Sequence, residues 1–132
     1  MSSNAKKDDQ APSVGQAFTD TDIIISTTND LPGYEVVQVL GVVYGLTVRS
    51  RNLVANIGAG LKSMVGGELG VLTNNLYMSR NKAVDRMIGE CMGRGGNAII
   101  AFRYDTGEVG SIANEVCAYG TAVVVKKIEK QV

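Results

Sequence analysis

The sequence predicts an α+β domain with the element order β-β-α-α-β-β and a largely antiparallel sheet. Three observations carry that expectation. Tyr34–Val48 and Glu115–Lys127 are dominated by β-branched and other apolar residues. Apolar residues recur at helical spacing after Asn52 and again between Leu69 and Met92. Strands and helices are also grouped along the chain, whereas a doubly wound parallel fold would alternate them.

Residues 1–21 are polar, small and punctuated by Pro and Gly, which predicts a disordered tail that buries too little apolar area to offset its ordering. The domain is expected over residues 22–128, with a short C-terminal tail at 129–132. Ile23-Ile24-Ile25 reads as a short strand, stopped by the dense turn signal Thr27–Gly33. The second strand, YEVVQVLGVVYGLTV, is interrupted by Gly41 and Gly45, which fits a long bent strand with a bulge or two strands meeting at a kink.

Asn52 is placed to cap a first helix carrying Leu53, Val54, Ile57, Leu61, Met64 and Val65 on one face. A second helix follows, with Leu72, Leu76, Ala83, Val84, Met87, Ile88 and Cys91 as its apolar stripe. Gly93-Arg94-Gly95-Gly96 ends it. Ala98–Tyr104 is the third strand, Asp105–Gly110 a turn, and Glu115–Lys127 the fourth strand.

The 132 residues suit one domain. Thirteen basic residues balance thirteen acidic ones, so no global field draws the chain to nucleic acid or an anionic membrane. The start Met-Ser-Ser-Asn has no apolar signal core, and no run reaches the roughly 18 apolar residues of a spanning helix. A cytoplasmic protein with free cysteines is the expectation. The absence of histidine excludes Ser-His and Cys-His nucleophiles and imidazole metal ligands; the absence of tryptophan removes indole stacking platforms.

The segment GAGLKSMVGGELG, residues 58–70, is the one place that resembles a phosphate cradle. A P-loop requires Gly-Lys-Ser/Thr in direct succession, but Leu61 separates Gly60 from Lys62; a Gly-x-Gly-x-x-Gly loop requires glycine where Ser63 stands. Gly58 and Gly60 instead smooth a helix face for close packing, and Gly66-Gly67 supplies the stop that ends the first helix.

Five short motifs carry a family resemblance. Ser26-Thr27-Thr28, Gly41-Val42-Val43, Val65-Gly66-Gly67, Gly95-Gly96-Asn97-Ala98 and Gly120-Thr121-Ala122-Val123 occur in an order and spacing similar to those of the YbjQ-like proteins. The resemblance covers Ile23–Lys127. It implies a dodecin-subunit-like fold, ring-forming homo-oligomers that are commonly pentamers, and a heavy-metal-binding label without an established activity. Some relatives carry an acidic, aromatic segment after the Val-Gly-Gly turn and a cysteine before Gly-Val-Val. Here those places read Leu72-Thr73-Asn74-Asn75 and Leu40, which weakens the metal reading.

Core burial is the first reading for Cys91 and Cys117, and a metal ion held by both is the second. Asp105, Glu108 and Glu115 cluster around the last hairpin, where turn hydrogen bonding accounts for them better than a hard cation does. A ligand site is expected near Gly66, Gly67, Glu68, Arg80 and Asp105, where matched family positions coincide with polar groups. The apolar strands Val36–Val43 and Cys117–Val125 predict sheet faces that one subunit does not cover, so self-association into a ring, with the chain itself as partner and neither nucleic acid nor membrane, completes the expectation. The functional expectation is a small-ligand or metal-binding scaffold. The alternative is an enzyme using carboxylates at a subunit interface.

Overall fold

The β-branched runs form the strands and the apolar stripe forms the helix, in a computed structural model that describes residues 22–50 and 70–129. The expected first helix after Asn52, the Val65-Gly66-Gly67 turn with Glu68, and both tails beyond these limits lie outside the described residues. The elements are β1 (Ile24–Ile25), β2 (Tyr34–Ser50), α1 (Gly70–Gly93), β3 (Ala98–Val109) and β4 (Ala113–Lys127). They make an α+β layer: one four-stranded sheet in the order β1-β3-β4-β2, with α1 across one face.

The sheet is mixed, which corrects the expectation of a largely antiparallel one. β2 and β3 both run antiparallel to β4, but β1 lies parallel to β3, with Ile24 opposite Ala98 and Ile25 opposite Ile99. The physical reason lies in the segment after β1. Its backbone does not fold back toward β2; it bonds across to β3, through Ser26 N to Ile99 O at 2.9 Å, Ala101 N to Thr28 O at 2.8 Å and Phe102 N to Ser26 O at 3.0 Å. The chain then crosses to the far edge before β2 begins, with Leu31 buried on the way.

The second strand bends as expected. Its pairing with β4 slips between Val36 and Gln38 and again between Val39 and Gly41, and Gly41 has the positive φ (+103°) that glycine tolerates. Gly45 has a different task. A Cβ there would fall 2.2 Å from the Ala83 carbonyl oxygen, so this glycine lets α1 lie directly on the strand.

A second correction concerns Asp105–Gly110. Pairing with β4 continues from Asp105 opposite Cys117 to Val109 opposite Ala113, and the turn falls at residues 110–112. The local turn preference of Asp-Thr-Gly is overridden by the ladder.

The core lies between α1 and the sheet: Ala83, Val84, Met87, Ile88 and Cys91 pack on Val43, Ile99, Val116, Ala118 and Ala122. Of the predicted stripe, Leu72 is only half-buried and Leu76 is exposed. At the helix end, Gly95 takes φ +82°, Gly96 N donates to Cys91 O at 2.9 Å and Gly95 N to Met92 O at 3.0 Å. That pair of bonds satisfies carbonyls that a helix terminus leaves open. A smaller cluster of Leu31, Ala98, Val123 and Val125 sits on the sheet's other face.

Candidate functional site

Alternation along β2 and β4 sorts their side chains between the two faces of the sheet. On β2, Val43, Gly45 and Thr47 are buried beneath α1, while Val42, Tyr44, Leu46 and Val48 point to the opposite face. Those four are large, apolar and exposed, Val42 by 61% and Tyr44 by 58%. On β4, Val116 and Ala118 join the core under the helix, so Glu115, Cys117 and Tyr119 share the open face with the β2 stripe. Tyr44 stands directly opposite Tyr119, and Leu46 directly opposite Cys117.

Cys117 is also opposite Asp105 on β3, and Glu115 is two residues along its own strand. The open face therefore carries one thiol between two carboxylates, beside an apolar stripe. Partial burial raises the Cys117 pKa, and the negative charges of Glu115 and Asp105 raise it further. A raised pKa disfavours the thiolate, which is the nucleophilic and metal-ligating form.

Cys91 belongs to α1, on the other side of the sheet. It is fully buried in the core between α1 and the sheet, its Sγ donates to Ala98 O at 3.6 Å, and burial raises its pKa. One thiol thus packs against the helix-covered face while the other stands on the open face, and the two do not converge within one chain. Arg80 and Asp105 are separated in the same way. The Arg80 guanidinium sits 5.4 Å from the centre of the Tyr104 ring, and Tyr104 pairs with Ala118 of the helix-side core, whereas Asp105 is the next residue and faces away. Gly66, Gly67 and Glu68, the rest of the expected ligand site, lie outside the described residues.

Sequence reasoning missed two features. Arg103 donates through Nη1 to the backbone oxygens of Thr27 at 3.0 Å and Phe102 at 2.7 Å, tying β3 to the segment after β1 beside Ala101, whose φ is +53°. Its only signal was an arginine within an apolar run. Asn97 bonds the Val125 backbone at both ends of its amide, through Nδ2 to the carbonyl at 2.9 Å and Oδ1 from the N–H at 2.8 Å. Its place in the Gly-Gly-Asn-Ala motif was the available signal.

A family model described as "Putative heavy-metal-binding" matches residues 23–126, the entire described domain but for its outermost residues. The chain belongs to the YbjQ family. It is 53% identical over 114 residues to a UPF0145 protein of Streptomyces griseus, covering 86% of this chain and 93% of that one. A UPF0145 protein of Sulfurisphaera tokodaii is 45% identical over 111 residues, covering 84% and 97%. Among solved structures, a protein of unknown function from Pediococcus pentosaceus, assigned to the DUF74 family, matches with a TM-score of 0.56 at 18% identity, over 80% of this chain and 100% of that one. That likeness concerns the fold alone.

The family description implies a metal, and the donor set gives it little to hold. Among the described residues no three Cys, Asp or Glu side chains are grouped closely enough to ligate one ion. A soft cation requires several thiolate or imidazole donors, and the two thiols of one chain lie apart, Cys91 in the core and Cys117 on the open face. No helix among the described residues is long and apolar enough to cross a membrane.

Proposed function

We propose that this YbjQ-family chain is a self-associating binding or scaffolding module, working as a ring-shaped homo-oligomer such as a homopentamer, and not as a catalyst. The exposed stripe Val42, Tyr44, Leu46 and Val48 carries this reading. Four large apolar side chains in one row, on the face that α1 does not cover, form the contiguous patch that a second protein surface buries. A second copy of the chain supplies such a surface at no cost in specificity, because symmetry repeats one contact around a closed assembly. Small ligands would then sit where neighbouring copies meet on that face, close to Tyr119 and the Cys117–Asp105 pair.

Native mass spectrometry with light scattering on the full chain tests the reading, since it reports subunit number and any retained metal or metabolite together. A discrete oligomer that dissociates in a Val42→Asp/Val48→Asp variant of unchanged circular dichroism is the expected result. A wild-type monomer at micromolar concentration refutes the reading.

A further inference from the structure

Among the described residues β2 stands at the edge of the sheet, and it runs for 17 residues, against the usual strand of about five or six. A long apolar edge strand offers a row of free backbone donors and acceptors to any other strand that arrives, which is the common route to open-ended aggregation. Two devices stand along this edge. In its first half the slips at Val36–Gln38 and Val39–Gly41 break the regular register that an added strand must match.

Further along, Arg86 of α1 and Arg94, the residue after its last turn, reach round to the strand. Arg86 Nη1 donates to Leu46 O at 2.6 Å. Arg94 Nη1 donates to Val42 O at 3.1 Å and to Leu40 O at 3.5 Å. Val42 and Leu46 are in the same phase of the strand, so their carbonyls point the same way. In an antiparallel ladder alternate carbonyls turn away from the partner strand. These oxygens, taken by guanidinium groups instead of β4 amides, are the outer-edge acceptors. Arg86 bonds Leu46 while Arg94 bonds Val42 and Leu40, so the two side chains are spaced along the strand rather than crowded at one point.

We infer that Arg86 and Arg94 are edge guards, which close the outer edge of β2 against addition of a strand from a second copy of this chain. Any incoming strand must displace a charge-assisted hydrogen bond at Val42 and at Leu46 and leave a guanidinium beside its own backbone. The consequence for assembly rests on the self-association proposed above: with the edge closed, association is steered to the open face, where contacts are made by side chains and the oligomer can stop at a fixed size.

The test compares the wild-type chain with Arg86→Met/Arg94→Met, which keeps the aliphatic stems, and with Arg86→Lys/Arg94→Lys, which keeps the charge. Far-ultraviolet circular dichroism checks folding; light scattering over hours and thioflavin T binding report strand addition. The methionine pair is expected to fold and then to grow, with scattering rising at least tenfold over wild type, while the lysine pair holds the wild-type size. A folded methionine pair that keeps the wild-type size and dye signal overturns the inference. So does a lysine pair that grows like the methionine pair, because stem packing or planar geometry, rather than charge on the edge, is then responsible. Should the methionine pair fail to fold, Arg94→Met alone removes two of the three contacts and is judged by the same criterion. A monomeric wild type would refute the proposed assembly and leave the guard comparison readable.

Discussion

Gly45 of β2 lies directly beneath Ala83 of α1, so closely that a Cβ on the glycine would fall 2.2 Å from the alanine's carbonyl oxygen. The same atom would be 2.5 Å from Met87 N and 2.9 Å from Arg86 Cβ. Backbone atoms have nowhere to go, so the helix as a whole would have to lift. Gly45→Ala is therefore expected to destabilise the domain by about 3 kcal/mol, the upper end of what overpacking costs. Urea denaturation reads this directly. A loss below about 1 kcal/mol would mean that α1 does not press on β2 as described.

Asn97 makes the second prediction. Its amide replaces a strand partner for Val125, giving one donor and one acceptor to a half-buried backbone. Asn97→Asp keeps the acceptor but sets a carboxylate oxygen against the Val125 carbonyl, where the Nδ2 donor was. The expected loss at neutral pH is about 2–3 kcal/mol, with a charged group left unpaired. Protonation restores a donor, so the variant should regain stability as pH falls through the carboxylate range while wild type does not. A loss that stays constant with pH would show that the amide donor is not what matters.

The sequence made the layer architecture legible because its signals were local. The β-branched run after Tyr34 and the stripe ending at Cys91 announce their own periods, and each formed its element within one or two residues of the expected limits. What stayed hidden was decided by partners distant in sequence. β1 joined β3 in parallel because Ser26 and Thr28 bond to Ile99, Ala101 and Phe102, more than 70 residues away. Asp105-Thr106-Gly107 carries the residues of a turn and became strand because β4 pairs along it. The candidate site was harder still. The spacing of Cys91 and Cys117 says nothing about which side of the sheet each will lie on, and Tyr104 and Asp105 separate Arg80 from its expected neighbour merely by alternation.

The two thiols yield the third prediction. Burial raises the pKa of Cys91 and, with the charges of Glu115 and Asp105, that of Cys117. An acid whose folded pKa lies above its unfolded one binds more protons in the native state, so unfolding releases protons. The stability each thiol contributes is fully present below the unfolded thiol pKa and is lost as pH rises through the folded one. Urea midpoints of the reduced protein should therefore fall from neutral pH into the alkaline range, and the slope should flatten in Cys91→Ala, which carries the more deeply buried group. That variant also loses a core atom against Gly96, so its neutral-pH stability should drop by about 1 kcal/mol. Cys117→Ser, on the open face, should cost less at neutral pH and leave part of the alkaline slope in place. Alkylation gives an independent reading: both thiols should react more slowly than a free thiol at neutral pH, with Cys117 the faster of the two. Fast modification of Cys91 in the native protein would place it on a surface and contradict its burial between α1 and the sheet.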